Sequence, residues 1–296
     1  RIRKAYLQNK TKIISLNEVG DLTYPYKSLD GNIENIKKII EDNHEVSNLI
    51  KDAKKPLIIF GQSALKTKSA KYIFESIKSF LETNNKISDE WNSLNTISEN
   101  AATVGSFDLG LYKTEDGSNE VLKDLENHKF EIVYLLGVDN LKFEKKNEFV
   151  IYQGSHGDRG AEIADIILPG AAYTEQNGYF TNLEGKLQKA YKASYPPEDA
   201  KEDWLIINEL AEAMNHRKLF NDKDELDSSL LNQINLYVEK NNSIKTSDIK
   251  NIEFNHEILK IDNEDYYYSN VIARASKTMF ECKTSKANFK LTGTEG

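Results

Sequence analysis

The spacing of apolar residues along this 296-residue chain changes period several times, and each change predicts an element. Lys12–Leu16 is a short β-type run, followed by a turn-like stretch, Asp21–Tyr26. Ile33, Ile36, Ile39 and Ile40 then recur at helical spacing, which places them on one apolar face. Pro56–Phe60 is short, apolar and stopped by Gly61, the pattern of a buried strand. Ala70, Ile73, Ile77 and Phe80 share one side of a following helix. Three more apolar strands are predicted at Glu131–Leu136, closed by Gly137, at Phe149–Tyr152, and at Asp165–Leu168, stopped by Pro169-Gly170. None alternates polar with apolar residues. The expected fold class is therefore α/β, a mostly parallel sheet flanked by helices and covered on both faces. A last helix is predicted from Lys201 to Asn215, with Trp204, Ile207, Leu210, Ala211 and Met214 as its buried stripe. Asp199 and Glu202 sit near its start, where negative charge suits the helix dipole. Residues 217–262 turn polar and rich in Asn and Lys, which predicts peripheral helix and extended chain rather than a second core. The expected organisation is a segment, 1–50, completing a preceding part of the domain, an α/β domain, 51–216, and a peripheral C-terminal extension, 217–296.

Charge and cysteine content narrow the chemistry. The net charge is −8, and lysines alternate with acidic residues, as in Lys51–Lys55 and Glu144–Glu148. That is a solvated mixed surface, unlike the basic stripe of a nucleic-acid binder. No run of about 18 apolar residues exists to form a membrane-spanning helix, and no signal-peptide pattern is visible. The chain starts at Arg1, so it is expected to be a fragment, a processed product or an incompletely covered N-terminus. Its single cysteine, Cys282, cannot pair within the chain, and cannot alone hold an iron–sulfur cluster or a structural zinc. No cluster or other metal is expected here. The low cysteine content fits a reducing compartment or the mitochondrial matrix.

Candidate chemistry concentrates in residues 152–188. Gly154, Gly157 and Gly160 follow a strand, as in a phosphate-cradling loop, but their spacing is not that of a dinucleotide site and the next predicted element is a strand. They read better as turn formers with positive φ. His156 beside Ser155 and Asp158 admits a hydrolase-like triad, but neighbours in a polar loop usually bond local backbone. Glu175, Asn182 and Glu184 cluster around Gly178 and Gly185. Such residues either grip a heterocyclic ligand or fix a loop, and the second reading is preferred.

Ala164-Asp165-Ile166-Ile167-Leu168-Pro169, followed by Glu175, Gly178, Asn182 and Glu184-Gly185-Lys186, resembles the signature of molybdopterin oxidoreductases. Tyr152-Gln153-Gly154, His156-Gly157-Asp158 and the run Pro169–Glu175 narrow the resemblance to the large iron–sulfur subunit family of respiratory complex I. Further matches follow in order, among them Arg1–Lys4, Asp21–Tyr24, Ala53–Pro56, Ser63–Leu65, Phe107–Gly110, Leu135–Gly137, Glu202–Trp204, Ala273–Met279 and Cys282. Lys186 stands where the family has Arg. It keeps the charge and loses the planar fork.

The resemblance implies a scaffold role in the hydrophilic arm, supporting electron transfer from NADH to ubiquinone, with no catalytic residue and no cofactor in this chain. Glu175, Gly178, Asn182, Glu184, Gly185 and Lys186 would then be a vestigial pterin-site motif. Iron–sulfur clusters are expected on the missing N-terminal half or on a partner chain. The implied partners are other hydrophilic-arm subunits, without nucleic acid and without a membrane span. The implied location is the matrix side of the mitochondrial inner membrane, with the cytoplasmic face of a bacterial membrane as the alternative. Trp91 and Tyr266–Tyr268 are candidate interface anchors, although core burial serves Trp91 equally well. An active molybdopterin-dependent oxidoreductase is the alternative function. A free-standing binding module on the same fold is a third.

Overall fold

The computed structural model describes residues 1–111, 117–139, 141, 143–157, 159–214, 217–241, 252–260 and 265–288. The chain divides into two compact units. The first holds residues 1–99 with 252–260, and the second holds 100–241 with 265–288. The division falls inside the 51–216 stretch expected as one domain.

The first unit contains α1 (Ile2–Asn9), β1 (Ile14–Ser15), β2 (Lys27–Ser28), α2 (Glu34–Ile40), α3 (Glu45–Asp52), β3 (Ile58–Gly61), α4 (Gln62–Leu65), α5 (Ala70–Thr83) and β4 (Leu94–Ile97). β1 pairs with β2 and β3 with β4, both parallel. The predicted isoleucine face is real. Ile33 and Ile36 are buried with Phe60, Ile73, Ile77 and Leu81 in one core. Residues 252–260, expected as part of a peripheral extension, complete that core. Phe254 stacks on Tyr72 with ring centroids 5.0 Å apart. The Leu259 amide donates to the Gly31 carbonyl at 2.8 Å, and Asn17 Nδ2 donates to the Leu259 carbonyl at 2.7 Å.

The second unit contains α6 (Thr103–Asp108), α7 (Gly117–Glu126), β5 (Ile132–Leu136), β6 (Phe149–Gly154), α8 (Arg159–Ile163), β7 (Ile166–Pro169), β8 (Gly178–Thr181), β9 (Leu187–Ala190), α9 (Asp203–Ala213), α10 (Lys223–Asn241), α11 (Val271–Ala275) and α12 (Lys277–Asn288). β5, β6 and β7 form a parallel sheet in that order, with Val133 opposite Val150 and Ile151 opposite Ile166. β8 and β9 form an antiparallel hairpin. Leu125, Val133, Leu135, Phe143, Val150 and Tyr152 make the core under the parallel sheet. The architecture is the expected α/β class, with parallel strands and flanking helices, although the strands form several small sheets.

Two local expectations are corrected. A short helix, α8, separates β6 from β7, where a strand was expected to follow directly. On α9 the buried positions are Ile206 and Asn208. Trp204, Ile207, Leu210 and Ala211 are half-buried and Met214 is exposed. Asn208 is inside because it satisfies returning backbone. Its Nδ2 donates to the Phe220 carbonyl at 2.6 Å, and its Oδ1 accepts from the Leu219 and Phe220 amides at 2.8 and 3.1 Å. A buried amide with its valences filled costs little.

Candidate functional site

Open parallel sheets bind ligands beyond the carboxyl ends of their strands, and in the second unit that position is built by Gln153, the Pro169-Gly170 corner and the start of α9. The Gln153 side chain is fully buried. Its Nε2 donates to Asp203 Oδ1 at 2.7 Å, and its Oε1 accepts from the Tyr134 hydroxyl. Burial, and then the Asp203 charge, push the Tyr134 phenol above its ordinary value, so it stays a donor at neutral pH. Gln176 Nε2 donates to Asp203 Oδ2 at 3.0 Å, and the Asp203 amide donates back to Gln176 Oε1 at 3.3 Å. The backbone joins the same corner, with the Lys201 amide on the Pro169 carbonyl at 3.1 Å and the Ala171 amide on the Lys201 carbonyl at 2.8 Å. The carboxylate and both side-chain amides are thus tied to one another.

The glycines around this corner serve close packing. A Cβ on Gly170 would lie 2.9 Å from Asp203 Oδ1. A Cβ on Gly160 would lie 2.8 Å from both Tyr152 Cδ2 and the Val138 carbonyl, and one on Gly154 would overlap the Tyr152 ring. Gly154, Gly157 and Gly160 do not have the positive φ expected of them. Gly154 and Gly160 make room for an aromatic ring instead, and Tyr152 uses its hydroxyl to hold the loop, donating to the His156 carbonyl at 2.9 Å. Ser155 Oγ and His156 Nδ1 lie 3.0 Å apart at the surface, and Asp158 lies outside the described residues.

The structure puts Asn182, Glu184, Gly185 and Lys186 in the turn of the β8–β9 hairpin. Asn182 Oδ1 accepts from the Glu184 and Lys186 amides at 3.0 and 2.9 Å. The Asn182 amide donates to the Lys186 carbonyl at 3.0 Å, and Gly185 takes φ +77°, the left-handed region that suits glycine. Lys186 contributes backbone, and its side chain is exposed. Gly178 opens β8 at the other end of the hairpin, opposite Ala190. Glu175 lies before it, its carboxylate accepting from the Ala172 amide at 2.9 Å. Glu175 and the turn residues Asn182 to Lys186 therefore have local structural uses, and only the turn residues come together.

Gly178 and Thr181 also line a cavity of about 250 Å³ bounded by Leu109, Leu187, Leu226 and Leu230. Asp227 closes one side and is buried. Burial opposes its charge, but Lys189 at 2.8 Å and Lys223 at 2.6 Å outweigh it and hold the carboxyl below its usual range. Asp165 is anchored in the same way. Lys145 at 2.6 Å and the Val150 amide at 2.8 Å keep it low while it ties the start of β7 to β6. Glu148 is held at about 2, first by the Lys146 amide and then by His128 at 2.6 Å. The C-terminal segment is fastened to the buried Asp139 by Arg274, whose other amino group donates to the Tyr268 carbonyl at 3.3 Å.

Trp91 is half-buried, its indole N–H on the Pro56 carbonyl at 2.8 Å. Tyr266–Tyr268 form one tight helical turn capped by Asp265, and Tyr267 and Tyr268 are half-buried. Cys282 is exposed. Among the described residues, no three His, Cys, Asp or Glu side chains converge as a metal site, and no helix is long and apolar enough to cross a membrane.

The sequence motifs contain Gln153, Gly170 and Asp203 but do not show that the three meet. Nor do they point to Tyr134, Gln176 or the Arg274–Asp139 pair. Single polar residues placed at the ends of apolar runs, as Gln153 is, were the available signal.

Residues 1–213 match the model of the molybdopterin oxidoreductase family. The chain belongs to that family. It is 34% identical over 298 aligned residues to the NADH-ubiquinone oxidoreductase 75 kDa subunit of Reclinomonas americana, covering 96% of this chain and 42% of the relative. Identity is also 34% to an NADH-quinone oxidoreductase subunit of Rickettsia bellii, over 95% of this chain and 41% of the relative. A mitochondrial NADH-ubiquinone oxidoreductase 78 kDa subunit from Candida albicans is 33% identical over 95% of this chain and 40% of its own length. The chain spans about two fifths of the length of these relatives. They carry the subfamily expected from Tyr152–Asp158 and Pro169–Glu175.

Proposed function

We propose that this chain is a structural part of the large peripheral-arm subunit of complex I, supporting electron transfer from NADH to ubiquinone without holding a redox centre. One observation carries the reading. The polar groups at the sheet's ligand-binding end, Gln153, Asp203 and Gln176, are bonded to one another and hold this corner together. The motif residues at 182–186 support it too, because they make a turn. The relatives named above supply the complex. Cys282, alone and exposed, offers no cluster ligation set. The iron–sulfur clusters then belong to the part of the subunit outside this sequence or to another chain. The partners are the other hydrophilic-arm subunits, on the matrix face of the mitochondrial inner membrane, or on the cytoplasmic face if the source is bacterial.

Elemental and pterin analysis of the natively purified chain tests the redox-silent half of this proposal. Molybdenum, tungsten and pterin are expected at trace levels. One equivalent of metal and pterin per chain would mean an active oxidoreductase.

A further inference from the structure

A structural role leaves one feature of the second unit unexplained, the cavity between α6, the β8–β9 hairpin and α10. Its walls are mainly apolar, with Leu109, Leu187, Leu226 and Leu230 around a space of about 250 Å³. A leucine-lined cavity of about 150 Å³ takes a benzene ring, and sites for drug-sized ligands begin near about 300 Å³. The space therefore suits a molecule somewhat larger than benzene.

The polar side chains around it can be accounted for one by one. Ser106 Oγ donates to the Ala102 carbonyl at 2.9 Å. The Tyr179 hydroxyl donates to Asp227 Oδ2 at 3.3 Å, and Lys189 and Lys223 donate to the same carboxylate at 2.8 and 2.6 Å. Thr181 differs. It is 3% exposed, and among the described residues no protein group lies within hydrogen-bond reach of its Oγ1. A buried hydroxyl without a partner is costly, whereas Val at the same position would carry no such penalty. The hydroxyl is thus set for a partner from outside the chain.

Gly105 points the same way. It stands within α6, where glycine weakens a helix relative to alanine. Its φ is not positive, and an added Cβ would meet nothing closer than Thr181 Oγ1 at 3.8 Å, an ordinary contact. Neither the backbone nor close packing requires glycine here. Its missing side chain leaves the wall open beside the unpaired hydroxyl.

We propose that this cavity binds a small neutral molecule, the size of one substituted ring or a short chain, with a single hydroxyl or carbonyl oxygen that bonds Thr181 Oγ1. The leucines cover its apolar body. The charged groups beside the cavity are tied to one another at Asp227, so the bond that the site lacks is one to a hydroxyl. The site is built by this chain's own residues and does not depend on the complex I role.

Fluorine NMR of the natively purified, full-length protein tests the proposal, with 4-fluorophenol as the probe and fluorobenzene as its apolar control. Both should bind saturably, with Kd on the order of 1 mM for molecules of this size. Gly105→Leu fills the space from a helix position without backbone strain and should abolish both. Thr181→Val keeps the shape and the leucine walls. It should weaken 4-fluorophenol roughly threefold to tenfold and leave fluorobenzene unchanged or tighter. Because it removes an unpaired hydroxyl, Thr181→Val should also keep the fold. Circular dichroism checks both variants, and if Gly105→Leu does not fold, the Thr181→Val comparison decides alone. No saturable binding to the parent would mean that water or a neighbouring chain fills the space, and would overturn the proposal. Binding that survives a folded Gly105→Leu, or an equal effect of Thr181→Val on both probes, would overturn it too.

Discussion

Replacing Gln153 with Leu tests whether the polar corner is a structural lock. Leu nearly conserves the volume and removes both polar functions. The lost bond to the Asp203 carboxylate is charge-assisted and contributes about 1.5–3 kcal/mol, and the Tyr134 bond about 0.5–1.5 kcal/mol. Tyr134 is half-buried and can regain water. The expected cost is therefore about 2–4 kcal/mol. At about 2–4 °C per kcal/mol for a unit of this size, the melting point should fall by about 4–16 °C. The two tryptophans, Trp91 and Trp204, lie in different units. In a Trp91→Phe background, Trp204 fluorescence therefore follows the second unit alone. A double-mutant cycle with Asp203→Ala should give a coupling energy of about 1 kcal/mol or more. A melting point within about 1 °C of the parent, or strict additivity in the cycle, would refute the lock.

Other outcomes follow from the same geometry. Arg274→Ala leaves the Asp139 carboxylate buried without its guanidinium, and calorimetry should show a loss of about 3 kcal/mol that Arg274→Lys restores only in part. Glu148 falls from an ordinary value of 4.5 to about 2 on folding, so its stabilising contribution is complete above pH 4.5 and is lost as pH falls toward 2. Thermal melts of the parent and Glu148→Gln should differ most above pH 4.5 and converge below it, whereas a gap that widens on acidification would contradict this. Gly185→Ala should cost about 1–2 kcal/mol in chemical denaturation because its φ is +77°. Lys186→Arg should change stability by less than about 0.5 kcal/mol and create no pterin binding in a fluorescence titration, since the position contributes only backbone to the turn.

Periodicity located what depends on burial. Ile33 and Ile36, Ile73 and Ile77, and the strands at 132–136, 149–154 and 166–169 stand where apolar spacing put them. It failed where a polar residue took an inner position. Asn208 is inside α9 because a chain reversal eleven residues later needs its amide, a long-range demand that helical spacing does not encode. The β8–β9 hairpin is hidden in the sequence although Asn182 and Gly185 mark its turn, because the same residues also fit a ligand motif. Residues 252–260 are too polar to announce a core role, and their attachment uses a backbone bond to Gly31 and a side-chain bond from Asn17. The convergence of Gln153, Gly170 and Asp203 spans fifty residues and needed the sheet register to become visible.

The most direct test of the structural role is native-gel separation of solubilised membranes, with an in-gel NADH dehydrogenase stain and mass spectrometry of each slice. Peptides from this chain should travel with the stained activity in a very large assembly, together with the polypeptide that bears the iron–sulfur clusters. Recovery of the chain only at small mass, away from that activity, would contradict its place in complex I.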